Sequence, residues 1–163
     1  ADLDVVFVPV GGGGLIGGIA TYIKYLKPEA RVIGVEAEGS ACMWAALAVG
    51  RRVKLKAEEI DQFADGTAVR QVGKESFKLA RSYVDEVIRV NTDEICAAIK
   101  DVFEDTRVIS EPSGALAVAG LKQYVEREGI KNRNLIAIVS GANMNFDRLR
   151  HVSERTEIGR AHV

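Results

Sequence analysis

The stretch from Val5 to Gly18, VVFVPVGGGGLIGG, constrains this chain more than any other. Its opening run, Val5 to Val10, is almost unbroken apolar and β-branched, the pattern of a parallel strand covered on both faces. Four consecutive glycines follow, and each forfeits more backbone entropy on folding than another residue would. Such a run persists where the backbone must reach positive φ or be closely approached. The next segment, LIGGIATYIKYLKP, reads as a helix: Leu15, Ile19, Tyr22, Ile23 and Leu26 recur at helical spacing and Pro28 stops it. A glycine turn between a buried strand and a helix lets backbone N–H groups converge at the positive end of the helix dipole, where a phosphate fits.

The rest of the chain keeps the alternation. Arg31 to Glu38 reads as a strand, Ser40 as the cap of a helix closed by Gly50, and 51–66 as charged and irregular. Thr67 to Val84 reads as a helix and EVIRV as a third strand. Thr92 is expected to cap a helix with Ile95, Ile99, Val102 and Phe103 on one face. EPSGALAVAGLKQYVEREG is a further helix, with Pro112 near its start and Gly129 at its close; NLIAIVSGAN is the last strand with its exit loop. The expected fold is α/β: a three-layer open, mostly parallel sheet with helices on both faces over residues 1–150, then a loose polar tail or linker over 151–163.

Charge narrows the function. The 22 basic and 23 acidic residues nearly cancel and are interspersed, so no basic stripe invites nucleic acid and no polybasic segment invites a membrane. No apolar run approaches the ~20 residues that span a bilayer, and no signal peptide opens the chain, so a cytoplasmic location is expected. Cys42 and Cys96 read as buried reduced thiols rather than a disulfide or metal pair.

Two familiar phosphate loops can be tested against the glycines. A P-loop needs Lys-Ser or Lys-Thr after them, and neither is there. A dinucleotide fingerprint is matched literally by GGGLIG (Gly12 to Gly17), with Glu36 or Glu38 as the acid ending the next strand. That reading predicts a nicotinamide-dependent oxidoreductase. The turn SGANMN, leaving the last strand at the same sheet edge, adds Ser140 as a second polar wall.

PVGGGGL, ADGTAV, EPSGA and SGANMN, in this order, resemble the serine/threonine dehydratases among the fold type II (tryptophan-synthase-β-like) pyridoxal-phosphate enzymes, most of all biosynthetic threonine deaminase. The resemblance runs from about Val5 to Arg150 and implies pyridoxal 5'-phosphate as cofactor. It places Gly11, Gly12, Gly13, Gly14 and the Leu15 amide on the cofactor phosphate, and Ser140 on the pyridine nitrogen. A serine there leaves that nitrogen largely neutral, which favours β-elimination. Asp65 and Gly66 would approach cofactor and substrate, Glu111 would lie near the ring, and Asn143 would steady its loop.

The implied reaction takes L-threonine to 2-oxobutanoate and ammonia, the first step of isoleucine synthesis. It needs a Schiff-base lysine, which in this family sits in a Ser-Phe-Lys-x-Arg-Gly motif upstream of the glycines. That lysine is expected outside this chain, which then reads as the larger part of a cofactor domain, inactive alone. Ser76-Phe77-Lys78 mimics the motif but follows the glycines and lacks the Arg-Gly continuation, so Lys78 reads as a decoy facing solvent. Glu38 could join a divalent-cation site known in some relatives, but Met43 and Trp44 occupy the stretch where a further carboxylate is wanted, so no metal is expected. His151 and His162 fall in the tail and carry no expected catalytic role. HVSERTEIG resembles the entry to a linker toward an effector-binding domain, and Arg160 to Val163 departs from that pattern. A serine dehydratase or racemase of the same superfamily, or a non-catalytic phosphate-binding domain, are the alternatives. The implied partners are a small amino-acid substrate and further copies of the chain, held through exposed edges.

Overall fold

The computed structural model describes residues 2–158; His162 and the Arg160 to Val163 segment lie outside them. Among the described residues, four strands form one parallel sheet: β1 (Val5–Pro9), β2 (Arg31–Ala37), β3 (Glu86–Val90) and β4 (Leu135–Ala137), in the order β3-β2-β1-β4. β1 is central, with Val5 beside Arg31 on one side and Leu135 on the other. Its side chains alternate between two cores, as strand pleating requires. Val6, Val8 and Val10 pack with α1 (Gly14–Leu26), α2 (Cys42–Val49) and α3 (Lys74–Tyr83). Val5 and Phe7 pack with α4 (Thr92–Thr106), α5 (Pro112–Glu128) and α6 (Phe146–Ile158). The three-layer α/β expectation holds. Cys42 and Cys96 are buried free thiols, with burial pushing their pKa up to about 12 and about 11.

The helices depart from the sequence reading in several places. The helix expected over Thr67 to Val84 begins only at Lys74. Before it, the backbone is engaged elsewhere: Leu55 N donates to Arg70 O, Arg52 Nε to Val72 O and Gly73 N to Gly12 O. Ser40 does not cap α2; it lies in a 3-10 turn, and the cap comes from Glu36 in β2, whose carboxylate accepts the Met43 and Trp44 N–H groups at 2.8 and 2.7 Å. Asn91, not Thr92, caps α4, in a reciprocal box with Glu94. Phe103 of α4 is exposed while Ile95 and Ile99 are buried.

The tail expected to be loose from Arg150 onward is helical through Ile158. Val152 anchors it in the core, and Arg155 Nη1 reaches Asp93 Oδ1 at 2.7 Å. On α1 the buried residues are Ile16, Gly17 and Ala20, with Ile19 and Ile23 partly buried against the same core, while Leu15, Tyr22, Tyr25 and Leu26 stand outside.

Burial of Glu36 has a measurable consequence. Desolvation pushes its carboxyl from the ordinary 4.5 up to about 7, against the pull of the two N–H groups and of Arg89. Between those values the folded chain binds one more proton than the unfolded chain. The associated stability is therefore fully present below about pH 4.5 and lost as pH rises through 7, a change of about 3 kcal/mol. Urea unfolding from pH 4.5 to 8 is expected to show this decline in the wild type, and Glu36→Gln is expected to remove that component of the slope.

Candidate functional site

The four sequence motifs meet at the carboxyl end of the sheet, where ligands bind in open α/β folds. β1 ends at Pro9, and the glycines carry the chain directly into α1. Gly13 sits at φ +88 as the N-cap, a conformation that disfavours other residues. The glycine has a second reason: an added Cβ would lie 2.7 Å from Met43 Cε and 2.9 Å from Ser76 Cβ. On the opposite side the loop is open. Gly12 and Gly14 are exposed, and a Cβ on either would meet nothing within 4 Å.

α1 thus opens with its first-turn N–H groups unclaimed by a helical carbonyl, no acidic residue in that turn, and an exposed approach. This donor set, with the helix dipole behind it, suits a phosphate. Leu15 is exposed at its rim.

From the glycines the contacts pass from motif to motif. A Cβ on Gly11 would stand 3.0 Å from Thr67 Cα, so the ADGTAV turn lies against the loop. Thr67 Oγ1 donates to Ala64 O at 3.0 Å and lies 3.4 Å from Ser113 Oγ, joining that turn to EPSGA. The EPSGA segment in turn grips SGANMN: Glu111 N and Ser110 Oγ both donate to Gly141 O at 3.1 Å. The Glu111 carboxylate packs over Gly141, where a side chain would overlap it.

Ser140 is exposed beside Gly141, in the loop that leaves β4, the strand beside β1; in that loop Ile138 N donates to Phe7 O at 3.0 Å. Asp65 and Gly66 are exposed at the same edge. Asp65 faces Arg148 Nη1 at 3.5 Å, and Arg148 also donates to Phe63 O. Asn143 is exposed nearby. Gly11 to Leu15, Asp65, Gly66, Glu111 and Ser140 therefore share one sheet edge.

Sequence reasoning gave no role to Ser110 or Arg148, and took in Thr67 and Ser113 only as members of the segments 64–67 and 111–114. Thr67 and Ser113 are buried polar groups inside quoted motifs and Ser110 one just before EPSGA, the signal that could have marked them as internal ties.

Lys78 is 61% exposed and paired with Glu75; its neighbour Ser76 touches the glycine loop. Of the two acids that the dinucleotide reading offered, Glu36 is buried with both oxygens held by α2. Glu38 is exposed in the 3-10 turn that follows. His151 is also exposed, resting on Phe63.

A groove of about 490 Å³ between α4 and α6, lined by Ile99, Phe103 and Val152, lies on the flank away from these motifs.

Comparison with known proteins gives the family. The family model described as "Pyridoxal-phosphate dependent enzyme" matches residues 1–141. The chain is 58% identical to the L-threonine dehydratase biosynthetic IlvA of Burkholderia multivorans, over 98% of this chain and 31% of that protein. It is 54% identical to the mitochondrial threonine dehydratase of Saccharomyces cerevisiae, over 96% of this chain and 28% of that one. The chain thus spans about a third of the length of the curated relatives it matches. Among solved structures, processed threonine deaminase isoform 2 from Solanum lycopersicum superposes with a TM-score of 0.92 at 49% identity, covering 94% of this chain and 44% of that one.

Proposed function

The chain belongs to the family of pyridoxal-phosphate dependent enzymes, and from that premise we propose that it supplies the phosphate cradle and one ring-facing wall of an L-threonine dehydratase. The single observation that carries this reading is the open, acid-free N-terminus of α1 behind a glycine held at φ +88, with the other three motifs packed one on the next from that loop.

Bound pyridoxal phosphate would supply an electron sink for β-elimination of water from L-threonine, leading to 2-oxobutanoate and ammonia. The chain's own residues hold and orient it. The N–H groups at Gly12 to Leu15 close on the phosphate, and the Ser140 hydroxyl hydrogen-bonds the ring nitrogen and leaves it largely neutral. Glu111 and the Asp65–Gly66 turn border the ring and the substrate. The lysine that carries the cofactor is assigned to another part of the parent protein, residues 1–150 being the larger part of the cofactor domain and 151–163 the way toward a further domain.

Identity to threonine dehydratases favours threonine as substrate over serine. A serine racemase from Dictyostelium discoideum shares the scaffold at 32% identity and a TM-score of 0.78, so racemisation is the second reading.

The test is an absorbance titration of the chain with pyridoxal phosphate, wild type against Ser140→Ala, followed by borohydride and peptide mass spectrometry. Saturable binding, with a spectrum altered by Ser140→Ala and no lysine-specific adduct, is the expected outcome. Stoichiometric fixation of the cofactor on Lys78 would overturn the assignment.

A cytoplasmic location fits the two unpaired buried thiols. No helix among the described residues is long and apolar enough to cross a membrane. Self-association is also proposed, because Leu15, Tyr22, Tyr25 and Leu26 leave an apolar stripe along α1. Light scattering is expected to find dimers or larger species, and Tyr25→Lys with Leu26→Glu to shift the population toward monomer.

A further inference from the structure

Glu36 lies outside the four motifs, yet it is fully buried and its side chain crosses from β2 to the start of α2. One oxygen accepts Met43 N–H and the other accepts Trp44 N–H, two of the donors that a helix N-terminus leaves without partners. No other described side chain caps this helix. The first turn of α2 is also the back wall of the glycine loop. Met43 Cε lies 2.7 Å from where a Cβ on Gly13 would stand, and Cys42 Sγ lies 3.9 Å from Gly11 O. We propose that Glu36 is a positioning residue for the phosphate cradle: it fixes α2, and α2 holds the glycine loop in its anion-binding shape. The proposal rests on reading that loop as the phosphate site.

The chemistry needs both carboxylate oxygens as acceptors. In Glu36→Gln the amide NH2 must face either the Met43 or the Trp44 N–H, donor against donor, at a position closed to solvent. The volume is kept and one acceptor is lost. The disturbance then travels through Met43 and Cys42 to Gly13 and Gly11, while Glu36 itself meets no ligand.

Two amides outside the cradle report its shape in the free chain. Gly17 N donates to Gly13 O and Gly73 N to Gly12 O, at 3.0 and 2.9 Å. Amide exchange of the full chain at pH 8 is expected to quicken about tenfold at Gly17 and Gly73 in Glu36→Gln, together with Met43 and Trp44. The β1 and β2 amides should keep their protection.

Affinity supplies the second readout, with pyridoxal phosphate and the phosphate-free pyridoxal as probes. Glu36→Gln is expected to weaken the former about tenfold and leave the latter unchanged, because only the phosphate uses the cradle. Met43→Ala removes the contact with Gly13 but keeps Glu36 and its bonds. It should loosen Gly17 without loosening Trp44, and it carries the test if Glu36→Gln does not fold.

Unchanged exchange at Gly17 and Gly73 in both variants would overturn the proposal. So would an equal loss of affinity for both probes, which is what a merely structural role gives. A wild type that binds the two probes equally would instead refute the phosphate reading, while the exchange data still decide whether Glu36 shapes the loop.

Discussion

Gly13→Val is expected to abolish pyridoxal phosphate binding and to cost the chain about 3 kcal/mol of stability, from a β-branched residue at positive φ and overpacking against neighbours. Both penalties are visible at the position. The backbone is at φ +88, and a Cβ would press on Met43 Cε and on Ser76 Cβ. Ser76 is held in α3, so the strain falls on the loop. The N–H groups that should converge on a phosphate would be turned away even in molecules that still fold. Gly18→Ala is the control. It lies five residues on, in α1, with open space where its Cβ would go, and alanine is the better helix former by about 0.5–1 kcal/mol. That variant should bind as wild type and unfold at equal or higher urea. Urea midpoints with a parallel cofactor titration separate the two effects; wild-type binding by Gly13→Val would refute the role assigned to the loop.

Gly114→Val is the second large effect. Gly114 stands in the first turn of α5, where its Cα faces the SGANMN turn. A Cβ there would press into the Gly141 carbonyl oxygen, lie 2.8 Å from Gly141 N and 2.7 Å from Ser110 Oγ. The substitution must push α5 and the turn apart, breaking the hydrogen bonds that Ser110 and Glu111 make to Gly141 O. A loss of about 2–3 kcal/mol is expected from overpacking with lost buried hydrogen bonds. Since Ser140 precedes Gly141, the ring-facing wall moves with it. The expected signature is loss of the Ser140-dependent spectrum of bound cofactor, with residual phosphate-dependent binding. An unaltered spectrum would show that the two motifs are not mechanically joined.

The sheet and the motif order were legible in the sequence because both have local signals. β-branched runs marked β1, β2 and β3, with EVIRV bounded correctly, and glycines and Pro112 marked where elements begin and end. What failed depended on partners distant in sequence. On α1, periodicity registers an apolar stripe without saying which of two apolar faces meets the sheet; Ile16 and Ala20 do. The helix expected from Thr67 was lost to long-range backbone pairing with the glycine loop and with the 52–55 segment. The cap of α2 was sought in the residue just before it. The actual cap reaches in from β2, and no local pattern announces a carboxylate that bonds seven and eight residues ahead. α6 was missed because its polar surface hides a deep anchor, Val152.

For the site, the glycine loop and Ser140 were legible from strand exits alone. The resemblance added Asp65, Gly66 and Glu111, and the fold brings all of them to one edge. The buried ties among them, Thr67 to Ser113 and Ser110 to Gly141, appear only once the loops are folded together.

The central claim is that backbone amides of the glycine loop bind the phosphate of pyridoxal phosphate, with Ser140 at the ring. The most direct measurement is a residue-resolved map of backbone amide chemical shifts on adding pyridoxal phosphate to the isotope-labelled chain. The account expects the largest shifts at Gly12, Gly13, Gly14 and Leu15, a second group at Ser140 and Gly141, and inorganic phosphate reproducing only the first. Shifts centred on Lys78 or on the α4–α6 groove, with the glycine amides unmoved, would contradict it.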